Sequence, residues 1–227
     1  AWFDSLPVEL RLETHSTSMI QDASDDNRKI CMTFALQALA LQLAYDNIQI
    51  VLHRPFLRYN VNSFNRSRFA KDFSGLASSA EQCFYSALRT CTVGLQRQKI
   101  LLAARGTHAG AYLAIQNFTA GVTLSIIALS RAMPRHVQEA KQGVAHAISL
   151  QRLLSESFTV SAQTVKVLER LLQLIFAQEM EQMLETANTG INDGTLETSN
   201  KTFSPFHRLQ NLMSDVPQCI HLTTILH

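Results

Sequence analysis

The most regular hydrophobic pattern in the chain lies between Cys31 and Leu57. Apolar residues recur at spacings of three and four, which places them on one face of an α-helix. That row consists of Cys31, Phe34, Ala38, Leu41, Tyr45, Ile48 and Leu52. A second apolar row consists of Leu36, Leu39, Leu43 and Ile50. A helix that is apolar around most of its circumference is typical of a domain interior, so we predict a long buried central helix. It should begin near Ser24 and end near His53, because Pro55 interrupts helical hydrogen bonding.

This helix carries one narrow polar strip, formed by Gln42, Asp46, Gln49 and His53. Spacings of four, three and four place the strip on a single side of the helix, so it is the candidate ligand or interaction site. Two interpretations are open: a seam that faces solvent, which we favour, and the lining of a cavity. Asp46 and His53 are about two turns apart, too far for direct contact.

The remaining patterns predict further helices joined by short connections. Their expected ranges are Ser78 to Arg105, Ala109 to Ser130, Val137 to Leu154 and Ser161 to about Thr186. A connection is predicted from Arg58 to Gly75, where aromatic and basic residues alternate. Such alternation can bind single-stranded nucleic acid, but aromatic anchors that hold a loop on a helical core are the favoured interpretation.

The range Ala109 to Ser130 contains no charged residue and is long enough to cross a bilayer. Polar residues such as Gln116 and Asn117 dilute its apolar character, so a buried helix of a soluble domain is favoured. Gly121 inside this range is expected to mark the close approach of a neighbouring helix. The fold class is therefore all-α, a multi-helix array around a long buried central helix in a single domain.

The carboxy-terminal residues differ from the rest of the chain in composition. We expect a helical domain over residues 1–186, followed over residues 187–227 by a flexible link and a short helix. The short helix, Pro205 to Val216, has one apolar face formed by Phe206, Leu209, Met213 and Val216. A helix of this length is unstable alone, so it is expected to dock on its own domain.

Composition and charge narrow the function. The chain has 227 residues, 46% hydrophobic and 17% charged, with a net charge of +2, which suits one folded domain and not a dedicated nucleic-acid binder. The cysteines Cys31, Cys83, Cys91 and Cys219 form no C-x-x-C pair and are predicted to be reduced thiols. Either His136 and Glu139 or Glu139 and His146 could share a helix face, and without a third ligand a surface ion pair is favoured over a metal site. No catalytic motif occurs, so no catalytic, cofactor-binding or metal-binding residue is predicted and the chain is not expected to be an enzyme.

Several sequence runs together resemble one family. They are WFDSLPVEL at Trp2 to Leu10, the motif of Leu52, His53, Arg54, Pro55, Phe56 and Leu57, FTAGVTLSIIALS at Phe118 to Ser130, EAKQGVAHAI at Glu139 to Ile148 and VKVLERLL at Val165 to Leu172. Their order and spacing resemble the fungal-specific transcription factor domain, the middle homology region of binuclear zinc-cluster transcription factors. The resemblance covers most of residues 1–186. In the motif, Leu52, Phe56 and Leu57 are expected to fill the core, while Arg54 reaches the carbonyls of the last helical turn.

The resemblance implies a nuclear protein in which this chain is a regulatory domain that controls activation. DNA would be bound only through an amino-terminal zinc cluster, whose cysteines do not occur in these residues, so no cofactor is expected in the chain itself. The expected partners are a co-regulator protein or a small-molecule inducer, and a second copy in a homodimer of the full-length protein, with no membrane. The alternative is an all-helical module that binds or converts an apolar small molecule.

Overall fold

The computed structural model describes residues 5–14, 25–63, 73–130 and 133–189. Within these ranges 93% of the residues are helical and no strand occurs, which confirms the all-α prediction. The α-helices are α1 Asp25–Ser63, α2 Phe73–Gln96, α3 Gln98–Ala104, α4 His108–Ser130, α5 Val137–Ser155 and α6 Thr159–Thr189. Short 3-10 helices occur at Val8–Leu10, Leu12–Thr14 and Pro134–His136. The amino-terminal pair of 3-10 helices packs against α1.

The buried central helix of the bundle is α4, which packs against α1, α2, α5 and α6. Among the described residues it is the one helix long and apolar enough to cross a membrane, but 83% of its most apolar window is buried inside the bundle. A methyl group on Gly121 would lie 2.9 Å from Leu168 Cδ2 and 3.1 Å from Ala147 Cβ. The predicted close approach at Gly121 is therefore confirmed, with α5 and α6 as the neighbours.

Helix α1 lies at the edge of the bundle, so the prediction that it is the central helix is wrong. Its buried positions are Ala35, Ala38, Leu39, Leu43, Asp46, Ile50 and Leu57. Of the seven residues in the first row predicted to be buried, Ala38 is buried and three are exposed, at 36% for Phe34, 54% for Ile48 and 59% for Leu52. The reason is that α1 packs mainly against α2. With two apolar rows present, helical periodicity could not decide which row would meet that neighbour.

Helix α1 also continues through Pro55 to Ser63, so its predicted end near His53 is wrong. Proline removes the amide that would bond the carbonyl of Val51. Val51 is 50% exposed and Pro55 is also exposed, so water can hydrate the carbonyl that proline leaves without an amide. The predicted connection from Arg58 to Gly75 is correspondingly shorter, because α2 begins at Phe73; residues 64–72 lie outside the described ranges.

The second predicted helix is divided in two. Arg97 has φ −130° and ψ 39°, outside the helical region, and separates α2 from α3. Gly106, with φ 78°, ends this part of the chain in a conformation that favours glycine. Leu102, which the shorter helix turns outward, is 48% exposed. Cys83 and Cys91 are buried free thiols, as predicted.

Two hydrophobic clusters form the core. The larger one joins α2, α4, α5 and α6 around Phe84, Leu124 and Leu168, with Ile50 and Leu57 of α1 at its side. The smaller one joins α1 and α3 to the beginning of α4 and the end of α5, around Leu39 and Leu113. Most of the core therefore forms without α1, which covers one side of it.

The last two helices differ in detail from what the sequence pattern indicates. Lys141, a charged residue on α5, is buried, with its ammonium group 2.8 Å from Glu179 Oε1 on α6. Helix α6 begins at Thr159, two residues before the predicted start at Ser161, and Ser161 is buried. Helix α6 ends at Thr189, close to the predicted end near Thr186. The predictions for Trp2, Ser24, Cys219, the link after residue 189 and the helix from Pro205 to Val216 lie outside the described residues.

Candidate functional site

The polar strip of α1 is centred on Asp46, whose side chain is fully buried against α2. Arg89 Nε lies 3.0 Å from Asp46 Oδ1 and 3.1 Å from Oδ2, and a second guanidinium nitrogen also donates to Oδ1. Gln42 Nε2 donates to Oδ2 at 3.0 Å. Each carboxylate oxygen thus accepts two hydrogen bonds. These bonds to the Asp46 carboxylate raise the pKa of Arg89.

This arrangement joins α1 to α2 and leaves Asp46 little capacity for chemistry. A carboxylate with all its acceptor positions occupied is poorly placed to take a proton or bind a metal ion. The expectation that the strip faces solvent is wrong for Asp46 and holds in part for Gln42, Gln49 and His53, which are partly exposed. The role of Asp46 in the structure is to fix two helices together.

The sequence carried a signal for this pair. Asp46 lies three residues after Leu43 and four before Ile50, so it shares the face of the second apolar row. A charged residue in an apolar row is rarely buried without a partner. The pattern could therefore have predicted a buried carboxylate, but it could not name Arg89 as the partner, because the pairing depends on how α2 lies against α1.

The other strip residues are not brought into the same cluster. Gln49 and His53 are partly buried, and the His53 ring centroid lies 6.5 Å from that of Phe56. His53 Nδ1 is buried without a hydrogen-bond partner in the described part of the chain. Of the strip residues, Gln42 and Asp46 are therefore joined by a hydrogen bond, whereas His53 lies apart from them, next to Phe56 of the same motif.

The motif from Leu52 to Leu57 divides between core and surface. Leu57 is 4% exposed and belongs to the larger cluster, as predicted, whereas Leu52 at 59% exposure does not fill the core. Phe56 is partly buried. Because α1 continues past the motif, Arg54 has no last helical turn to cap, and that prediction is wrong. Burial raises the pKa of the nearby Cys83 thiol to about 12, although the positive charge of Arg54 lowers it.

The exposed part of the motif continues into an apolar surface that we call the α1 patch, formed by Ile48, Val51, Leu52 and Pro55. The spacing of three, four and seven places these residues on one side of the helix. Ile48 is 54% exposed, Val51 50% and Leu52 59%. A contiguous apolar surface of this kind is typical of a protein-interaction site.

A second group of residues, formed by a histidine, two aromatic residues and a glutamate, lies where α2 meets the beginning of α5. The His136 ring centroid is 4.6 Å from that of Phe84 and 5.7 Å from that of Tyr85. His136 Nδ1 lies 3.2 Å from Glu139 Oε2, so the predicted surface pair is confirmed. Within the described ranges, no three His, Cys, Asp or Glu side chains are grouped closely enough to hold a metal ion.

Comparisons of the chain with known proteins give no matching family model, no matching curated protein and no matching solved structure. The function must therefore be inferred from the residues and their geometry. The α1 patch, next to the buried Asp46–Arg89 pair, is the surface from which that inference starts.

Proposed function

We propose that this chain is the regulatory domain of a fungal zinc-cluster transcription factor and that it acts by binding a co-regulator protein through the α1 patch. The observation that carries this proposal is the exposure of aliphatic side chains within and beside the family motif. In a helix that only supported the core, the pattern would place these side chains inside. DNA binding would belong to a separate zinc-cluster segment, in keeping with the small net charge of +2.

The α1 patch is suited to a contact that can be made and released. Ile48, Val51 and Leu52 are each about half exposed. Burying the exposed half of such a side chain contributes about 1 kcal/mol. Three such contributions support a modest interface, and interactions of that strength are typical of regulation rather than of permanent assembly.

The helix that presents the patch is held in a fixed position. The buried Asp46 carboxylate ties α1 to Arg89 of α2, and Asp46 precedes Ile48, the first residue of the patch, by about half a helical turn. Ile50 and Leu57, on the opposite side of α1, are buried in the larger core cluster. A surface that is already ordered loses little conformational entropy when a partner binds, which favours recognition.

Close packing of the core argues against the alternative module that encloses an apolar ligand. A methyl group on Gly143 would overlap Leu124 Cδ1 and lie 3.0 Å from Leu88 Cδ1. Gly121 is similarly enclosed by α5 and α6. At these two helix crossings even one added carbon must displace a neighbour, so a ligand there would have to separate the helices.

A transcription reporter tests the proposal. The chain is placed between a heterologous DNA-binding domain and an activation domain, and reporter output is measured in a fungal nucleus. Ile48→Ser and Leu52→Ser should each change output by about fivefold or more, the lower end of typical coupling between sites. Ile115→Ser is the matched control, because Ile115 on α4 is 56% exposed and Ile48 is 54% exposed.

Two results would contradict the proposal. One is unchanged output in both patch variants at equal protein abundance. The other is an equal change in the Ile115 control, which would indicate a general effect of apolar surface. A thermal shift with apolar metabolites, together with unaffected patch variants, would favour the ligand-binding alternative.

A further inference from the structure

The outer face of α1 carries a regular apolar repeat that is longer than the α1 patch. Residues on this face follow one another at alternating spacings of four and three, the heptad pattern by which two helices pack along each other. We call this row the α1 seam, and it consists of Ile30, Phe34, Gln37, Leu41, Ala44, Ile48, Val51 and Pro55. Gln37 is its one polar member. None of the eight is buried, and Ile30, Ile48 and Val51 are at least half exposed.

The seam lies on the side of α1 that faces away from the bundle. Leu39 and Asp46 are buried, and their helical positions are opposite the seam. Leu12 of the amino-terminal lead-in packs on the smaller core cluster, to which Leu39 and Leu43 belong. The lead-in therefore contacts α1 on its bundle side. One apolar side of α1 is covered by its own domain, and the seam is a second apolar side that this domain leaves exposed.

The length of the seam sets the size of the interface that it can form. From Ile30 to Pro55 it extends about 38 Å along the helix. A helix with its side chains is about 10 Å wide, so another helix lying along the seam would cover roughly 400 Å² of α1. An interface of this size belongs with weak, reversible contacts and not with permanent dimers.

We propose that the occupant of the α1 seam is α1 of a second copy of this chain, lying antiparallel across a two-fold axis midway between Leu41 and Ala44. A two-fold dimer requires a surface that is complementary to itself. With the axis in this position, every seam residue of one copy lies opposite a seam residue of the other. The opposed pairs are Leu41 with Ala44, Gln37 with Ile48, Phe34 with Val51 and Ile30 with Pro55.

Side-chain size favours the antiparallel arrangement. At the centre, Leu41 of each copy lies against the smaller Ala44 of the other, and farther out Phe34 lies against the smaller Val51. Large and small residues that face each other fill the space between two helices evenly. A parallel pair would instead set Ala44 against Ala44 and Phe34 against Phe34. One layer would then contain a gap and another an excess of volume, and both reduce stability.

The residues beside the seam also permit self-association. Their positions are those next to the paired rows, and they are Cys31, Thr33, Ala38, Ala40, Tyr45, Asn47, Leu52 and Arg54. Arg54 is the one charged residue among them, and in the antiparallel pair it lies beside Thr33 of the second copy and not beside another cation. Charges at these flanking positions normally select a different partner helix. A seam with nearly uncharged flanks is suited to pairing with itself.

The dimer goes beyond the function proposed for the α1 patch and does not rest on it. Ile48, Val51 and Pro55 belong to both surfaces, so a second copy on the seam would cover the α1 patch. A co-regulator and a second copy would therefore compete for the same side of α1. By mass action, the concentration of the protein would then set the fraction of patches that are free.

Sedimentation velocity of the full chain, with neither co-regulator nor DNA present, tests the dimer. The weight-average mass should rise from that of one copy toward that of two between about 1 and 100 µM. The variant Ile30→Ser/Gln37→Glu changes exposed seam residues outside the α1 patch and should weaken dimerisation by about tenfold or more. The matched control Ile115→Ser/Gln163→Glu changes exposed residues of α4 and α6 and should dimerise like the unaltered chain, with both variants folded by circular dichroism.

Disulfide trapping tests the antiparallel register in a chain that also carries Cys31→Ser and Cys219→Ser. When the variants Gln37→Cys and Ile48→Cys are mixed under mild oxidation, they should form a disulfide between copies. Neither variant should form one alone, because the same residue of the two copies would be about 16 Å apart along the helices, which no disulfide spans.

Four results would overturn the proposal. They are a mass of one copy up to about 100 µM, dimerisation that persists in the Ile30/Gln37 variant, an equal loss in the control, and trapping of Ile48→Cys with itself, which would indicate a parallel pair. A monomeric chain whose Ile48→Ser and Leu52→Ser variants still change reporter output would refute the dimer and leave the co-regulator proposal standing.

Discussion

Replacement of Arg89 by methionine is the sharpest test of the Asp46–Arg89 pair. Methionine keeps most of the aliphatic stem but removes the three guanidinium contacts to the carboxylate. Asp46 would then remain fully buried, with the 3.0 Å bond from Gln42 as its one hydrogen bond described here. Leaving a buried charge without its partner costs about 3 to 5 kcal/mol.

That cost must be reduced because the Arg89 side chain is 46% exposed, so water can enter the vacated position. We expect Arg89→Met to lower the free energy of unfolding by about 2 to 3 kcal/mol. Asp46→Asn removes the buried charge itself and leaves a half-exposed cation, so its cost should be smaller, about 1 to 2 kcal/mol.

Urea denaturation at pH 7 measures both costs from the midpoint at constant slope. The double variant Asp46→Asn/Arg89→Met completes a mutant cycle, and it should be more stable than additivity predicts by about 1 kcal/mol or more. Additive effects, or a cost for Arg89→Met below about 0.5 kcal/mol, would mean that solvent screens the pair and that it does not fix α1 on α2.

Three further predictions follow from the packing. Gly121→Ala should destabilise the fold by about 1 to 3 kcal/mol in urea denaturation, because its methyl group meets α5 and α6. Gly75→Ala, which meets nothing within 4 Å, should be neutral or stabilising by about 0.5 kcal/mol, and a similar loss in both variants would contradict the packing argument. Stability should be full below pH 9.0, the ordinary thiol pKa, and fall as pH rises toward 12, because burial raises the pKa of Cys83 to about 12. Each buried thiol should lower the free energy of unfolding by about 1.4 kcal/mol per pH unit in this range, and Cys91 contributes because burial also raises its pKa. Cys91→Ala should therefore reduce the loss of stability between pH 8 and pH 10, as measured in urea titrations. Both thiols should resist alkylation in the native protein but not in urea, as mass spectrometry would show.

The all-α fold class could be predicted from the sequence, because hydrophobic periodicity shows which residues form the apolar face of each helix. The uncharged run that became α4 was assigned correctly, since a helix without charges has few places to lie except in the core. Gly121 was also informative, because glycine inside a helix costs stability unless a neighbour needs the space.

Periodicity could not indicate how deeply each helix is buried. Helix α1 has apolar residues on both sides, and Leu39, Leu43 and Ile50 are the buried row because of the way α1 packs against α2. Ion pairs between side chains of different helices could not be predicted from periodicity either. Lys141 bonds Glu179, and Arg89 bonds Asp46, across distances in sequence that no local pattern records. The break at Arg97 and the continuation through Pro55 reflect local hydrogen bonding that tertiary packing permits.

The central position of α4 has a consequence during synthesis of the chain. Two of the helices that cover it, α5 and α6, follow it in sequence and are complete only at Thr189. At a translation rate of about 5 to 20 residues per second, roughly 3 to 12 s separate the emergence of Ser130 from that point. For this interval the ribosome presents a helix with the length and composition of a membrane span. During this interval the apolar surface of α4 lacks two of its covering helices, so early pairing with α2, which precedes α4 in the sequence, would reduce the risk of aggregation.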